Sequence, residues 1–409
     1  MLPSQAKCSA LAQRFSTVLS SLLTVILLAA TVCQPAQSQT YKVIYNFTGQ
    51  GNDGATPYGG PTLDSSGNLY GTTYLGGTSG NGTVYRLSPQ GSSWTFTSLY
   101  NFKGVPDGSG PAFGSLVIGG NRALFGTTEG GGDFGTAFAI CACPGREIVV
   151  HRFGQGTDGA QPIGGVVPDS RGNIYGTTSL GGAYGNGTVF EAKRTGQQTW
   201  NESAIYSFTG GTDAINPVAG VSLDAEGNLY GTAPAGGANG NGAVFKLTRS
   251  SSGWTETVLY SFQGQSDGQN PVGGVVVDSS GNLYGTTFDG GINGGGTVYE
   301  MSPSGGGWTF TVLYSFTGGY GGPYNKLAFD AKGNIYGITN GEGANGLGSV
   351  FKLTPGNSGW TFTDLYDFPG GGNGASPYGS VAVDSLGNVF GTAAVGGSSN
   401  QGLVFEITP

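Results

Sequence analysis

Over residues 308–316, Trp308, Phe310, Val312, Tyr314 and Phe316 occupy alternate positions, with Thr309, Thr311, Leu313 and Ser315 between them. A period of two sustained this long predicts a β-strand rather than a helix. Three shorter strand-like stretches precede it: V-G-G-V-V-V-D from Val272, L-Y-G-T-T from Leu283 and G-T-V-Y-E-M-S-P from Gly296. The turn Asp278-Ser279-Ser280-Gly281-Asn282 separates the first two, and Gly-rich segments separate the others. Residues 271–316 therefore encode four short strands in succession.

This unit recurs. The pattern G-N-[LIV]-[YF]-G ends at Gly71, Gly176, Gly231, Gly285, Gly337 and Gly391, and a damaged copy, N-R-A-L-F-G, ends at Gly126. Successive spacings are 55, 50, 55, 54, 52 and 54 residues. Four strands per unit of this length is the signature of a propeller blade. The ends are out of phase with the unit in a telling way. Tyr41-Lys42-Val43-Ile44-Tyr45-Asn46-Phe47 matches a fourth strand, whereas the chain closes after a third, Val404-Phe405-Glu406-Ile407. The expected fold is an all-β, seven-bladed β-propeller of four-stranded blades over residues 39–409, its ring closed by residues 41–47. In that strand Val43, Tyr45 and Phe47 are expected on one side, as Val312, Tyr314 and Phe316 would be.

The strings G-N-L-Y-G-T-T, G-G-x-x-G-x-G-T-V-[YF]-x-[LM] and G-W-T-x-T-x-L-Y-x-F resemble the GloVer (choice-of-anchor) tandem repeat of bacterial exported proteins across residues 41–409. The resemblance implies an exported, propeller-like repeat protein and brings no established activity or site residues. The chain departs from that family in showing no C-terminal anchor. A looser similarity to Kelch repeats lies in the Gly pair after the second strand and the later aromatic and Trp.

Composition agrees with many short strands and tight turns: 82 of 409 residues are Gly, beside 22 Phe, 20 Tyr and 5 Trp. There is no Gly-X-Y period, which excludes collagen. With 16 basic against 24 acidic residues and no Lys/Arg cluster, nucleic-acid binding is excluded as an expectation.

At the N-terminus, Lys7 and Arg14 precede an apolar run over residues 18–32, followed by Ala36-Gln37-Ser38. A charged segment, an apolar segment and small residues at a cleavage site predict a signal peptide over residues 1–38. The run is short for a membrane span. The mature protein is thus expected to be secreted or extracytoplasmic, monomeric, without a transmembrane domain.

Candidate chemistry is sparse. The D-x-x-G-N element at Asp64, Asp169, Asp224, Asp278, Asp330 and Asp384 reads as turn chemistry, since calcium loops need further ligands at fixed spacing. A second series, Asp53, Asp107, Asp158, Asp213 and Asp267, precedes the first strand of five blades, while blade 7 has Asn373 there. Turn chemistry explains these too. They nonetheless mark the face where the long Gly-rich loops emerge, and that face is the candidate ligand-binding surface. Trp94, Trp200, Trp254, Trp308 and Trp360 are expected to pack within or between blades. His151, the single His, stands where Tyr260 and Tyr314 stand in other blades, and a packing role is expected. Cys141 and Cys143 could form a local disulfide in an oxidising compartment. No catalytic residue, metal or cofactor is expected.

These readings favour a non-enzymatic binding or cell-envelope interaction module for a glycan or cell-surface protein. The alternative is a secreted carbohydrate-active hydrolase with carboxylates at the channel mouth.

Overall fold

The structure is a computed structural model that describes residues 39–111, 113–141, 146–154, 156–318 and 321–409. The expected signal peptide and Cys143 lie outside these residues, while Cys141 is disulfide-bonded. Seven four-stranded antiparallel sheets form a ring, each running from an inner first strand to an outer fourth strand. This is the seven-bladed propeller expected from the repeat. Among the described residues no helix is long and apolar enough to cross a membrane.

The N-terminal strand closes the ring. Thr40–Asn46 lies at the outer edge of the sheet that holds Leu403–Thr408, Val389–Ala393 and Ala382–Val383. Phe47 N–H donates to Gly402 O at 3.0 Å, and Ser398 N–H donates to Asn46 Oδ1 at 3.0 Å. On the inner side, Thr392 Oγ1 donates to Gly59 O at 3.1 Å, joining blade 7 to blade 1. The equivalent threonines stitch other neighbours: Thr127 Oγ1 donates to Gly164 O at 2.7 Å and Thr177 Oγ1 to Ala219 O at 2.8 Å.

Two kinds of glycine make the blades fit. A Cβ on Gly60 would collide with the Ser380 carbonyl oxygen, so the inner strands meet backbone to backbone around the axis. The Gly that ends each repeat signature faces a third-strand ring: a Cβ on Gly231 would collide with Phe245, and one on Gly285 with Tyr299.

One buried apolar cluster fills each of the seven blade boundaries. The outer strands serve two clusters at once, and this corrects the single apolar face expected for them. A β-bulge shifts the pairing between Val298/Tyr299 and their partners, Tyr314 and Val312. A bulge adds one residue and so inverts the sides of everything beyond it. Trp308 and Phe310 accordingly pack against blade 4, whereas Leu313, Tyr314 and Phe316 pack against blade 6. The closing strand behaves alike: Val43 joins the cluster shared with blade 6, while Tyr45 and Phe47 join that shared with blade 1.

The Trp residues pack between blades, each edge-on to a ring of the preceding one, as Trp308 does on Tyr230 and Trp360 on Tyr284.

Candidate functional site

The turn aspartates do what turn chemistry requires. Asp64 Oδ1 accepts the N–H groups of Ser66 and Asn68 at 2.8 and 2.9 Å, and Oδ2 accepts Asn68 Nδ2 at 2.8 Å. The second series is also spent internally. Asp267 Oδ2 accepts Gln263 N–H at 2.8 Å and the Tyr260 hydroxyl at 2.9 Å. Asp213 Oδ2 accepts Thr209 N–H at 2.7 Å and the Tyr206 hydroxyl at 3.0 Å. Asp107 takes Lys103 N–H and the Tyr100 hydroxyl, and Asp53 takes Thr48 N–H and Oγ1. In blade 2 the imidazole of His151 stands in for the phenol, its Nε2 3.0 Å from Asp158 Oδ1. Asp53, Asp213 and Asp267 are buried. Each of the five therefore clamps the connection from one blade to the next; they are not brought together.

What meets these clamps from the following blade breaks the symmetry. At four boundaries an aromatic ring stacks on the fourth-strand Tyr: Phe310 on Tyr260, Phe362 on Tyr314, Tyr41 on Tyr366 and Phe96 on Tyr45. At the other three the same position is Glu147, Glu202 or Glu256. Burial, reinforced by the adjoining Asp107, pushes the Glu147 carboxyl up to about 9. Burial with Asp158 takes Glu202 to about 8, and burial with Asp213 takes Glu256 to about 7. The sequence signal for this trio was one outer-strand position alternating between Phe/Tyr and Glu.

The centre of the same face carries a feature that sequence reasoning missed. Tyr58, Phe113, Tyr324 and Tyr378 lie just inside the inner strands of blades 1, 2, 6 and 7. Their rings touch across the axis: Tyr58 with Phe113 at 5.1 Å, Phe113 with Tyr324 at 5.3 Å, Tyr324 with Tyr378 at 5.5 Å and Tyr58 with Tyr378 at 5.2 Å. All four remain partly exposed. Two of them, Phe113 and Tyr324, also line an axial cavity of about 150 Å³ whose wall includes Ser115, Asn325 and Lys326. Desolvation pushes the Lys326 amine down to about 8. Beside the aromatic cluster, Tyr58 contacts Tyr74 at 5.2 Å. Tyr74 in turn lines a groove of about 370 Å³ with Asn81, Glu129, Asp133 and Gln161, and its hydroxyl reaches Glu129 Oε2 at 3.4 Å.

A model of the Gloeobacter/Verrucomicrobia repeat matches residues 31–223, 134–258 and 220–409. The chain belongs to this repeat family. No curated protein matches this member of the repeat family. Among solved structures, it is similar to a Mycobacterium tuberculosis puromycin-hydrolyzing peptidase at a TM-score of 0.53 and 10% identity, over 89% of this chain and 56% of that one. A second similar structure is described as a "putative gluconolactonase", at a TM-score of 0.44 and 14% identity, over 91% of this chain and 93% of that one. The likeness to the peptidase concerns the fold alone, and the Gloeobacter/Verrucomicrobia repeat protein spans little more than half of that enzyme.

Proposed function

We propose that the protein is an exported, non-enzymatic module that binds a glycan at the aromatic channel mouth. The observation that carries this reading is the contact of four partly exposed rings, Tyr58, Phe113, Tyr324 and Tyr378, from four blades. Sugar rings present C–H faces that pack on aromatic surfaces, while their hydroxyls demand hydrogen-bond partners. Tyr rings supply both an apolar body and a polar tip. The adjoining groove adds Glu129, Asn81 and Gln161, the mixture of apolar floor and few polar groups that small-ligand sites use. The clamped aspartate loops shape the rim and do not touch the ligand. Export rests on Lys7, Arg14, the apolar run over residues 18–32 and Ala36-Gln37-Ser38.

The hydrolase reading is weaker. A retaining glycosidase sets its two carboxyl groups about 5–5.5 Å apart around the scissile bond. The Asp–Glu pairs sit half-buried where outer strands of neighbouring blades meet, and Glu129 is already engaged by Tyr74.

Material recovered outside expressing cells provides the test. N-terminal sequencing should begin at Gln39, and a glycan array should show binding without product release in a hydrolysis screen. An intact Met1 overturns export, an empty array overturns the glycan ligand, and released product replaces the module with an enzyme.

A further inference from the structure

We propose that His151, Asp158 and Glu202 form a binding site for one divalent transition-metal ion of the zinc class, which clips blade 2 to blade 3. His151 lies in the outer strand Glu147–Arg152, Asp158 in the following connection and Glu202 in the next outer strand, Trp200–Ser207. One ligand atom from each lies within 4.8 Å of the other two. His151 Nε2 is 3.0 Å from Asp158 Oδ1 and 3.6 Å from Glu202 Oε2. A tetrahedral ion with bonds of ~2.0–2.2 Å separates its ligand atoms by about 3.3–3.6 Å, so the His151–Glu202 separation already fits, while the His151–Asp158 hydrogen bond must open slightly to admit the ion.

Two further observations point to an occupant. The Glu202 side chain is 6% exposed, and its Oε1 is buried with no hydrogen-bond partner among the described residues. A buried carboxylate oxygen facing a second carboxylate is unfavourable unless a cation or proton lies between them. The supporting contacts also hold the ligands in place. Gly154 N–H occupies Asp158 Oδ2 at 2.6 Å and leaves Oδ1 for the site, while Phe153 packs edge-on to the imidazole at 4.8 Å. His151 and Asp158 are 24% and 25% exposed, which leaves an entry path and room for a water to complete the coordination.

The sister boundaries serve as internal controls. Tyr100–Asp107–Glu147 and Tyr206–Asp213–Glu256 share the arrangement but present a phenol, a poor metal ligand at neutral pH, where blade 2 presents an imidazole. One imidazole with two carboxylates suits zinc, manganese, iron or nickel, whereas calcium prefers an all-oxygen set. From sequence His151 was expected to pack and no metal was expected; Asp158 and Glu202 are brought to it only through folding.

The test is equilibrium dialysis of the chain against Zn²⁺, with metal content and thermal unfolding read on the same samples. The wild type should retain one zinc ion per chain and melt higher with zinc than with Ca²⁺. His151→Tyr installs the residue of the sister boundaries; it should melt like the metal-free parent and bind zinc at least about tenfold more weakly. Should that variant fail to fold, Glu202→Gln substitutes for it with the same expectation. Failure of the wild type to retain zinc, or undiminished binding by whichever folded variant is used, overturns the site.

Discussion

Tyr41 stacks on Tyr366 with ring centroids 3.8 Å apart and planes 2° from parallel. The same contact joins Tyr260 to Phe310 at 4.1 Å and Tyr314 to Phe362 at 4.1 Å, so the ring closes with the bond that its interior boundaries use. Residues separated by almost the whole chain thus reproduce a contact between neighbouring repeats.

Deleting residues 41–47 should therefore be severe. Burial of each large apolar side chain contributes ~1.5–3 kcal/mol, and Val43 and Phe47 serve different boundaries, so two clusters open at once. The exposed edge at Leu403–Thr408 would also invite aggregation. Removal of Gln39 alone should leave the thermal midpoint unchanged. A 41–47 deletion that melts like the parent would exclude ring closure.

The recurring Gly of the repeat signature is a packing requirement. Gly231→Ala drives a methyl into the Phe245 ring and should destabilise by ~1–3 kcal/mol in urea titration. Adding Phe245→Leu should recover part of that loss, because it removes the ring that the methyl meets. No recovery would locate the strain elsewhere.

Stability should fall as pH rises through neutrality. Burial, with Asp107 adjoining, lifts Glu147 from 4.5 to about 9, while Tyr100 and Arg152 favour its charged form; burial with Asp213 lifts Glu256 from 4.5 to about 7. Above 4.5 the folded chain holds protons that the unfolded chain has released, so the contribution is complete below 4.5 and lost through 7 and then 9. Melting temperatures measured from about pH 5 to about pH 9 should decline, and the decline should flatten in Glu147→Phe/Glu256→Phe, which installs the residue found at Phe310. An equal slope in both proteins would refute the assignment.

At the channel mouth, Tyr324→Ala and Phe113→Ala should each weaken glycan affinity by about tenfold, the loss of ~1–1.5 kcal/mol expected for one aromatic contact. Asp267→Ala, which breaks a loop clamp, should lower stability by ~1–3 kcal/mol and leave affinity unchanged. Isothermal titration with the glycan identified on the array separates the two. Affinity lost in a folded Asp267→Ala protein would return ligand contact to the loop face.

Blade number, strand order and closure were legible in the chain because each depends on local spacing: the G-N-[LIV]-[YF]-G repeat sets the blades, and the offset of Tyr45 and Phe47 against Val404 and Phe405 sets the closure. The turn role of Asp64 and its equivalents was equally local, since donor and acceptor lie within four residues. Other features depend on placement in space. The inversion of sides between Phe310 and Phe316 comes from one bulge residue, which a strict alternation along the chain conceals. The aromatic cluster joins Phe113 to Tyr324 across the axis, and the second cluster joins His151 to Glu202 across a blade boundary, contacts that no periodicity encodes. Repetition specifies the frame because every unit solves the same packing problem, whereas a site arises where units differ and only the ring brings those differences into contact.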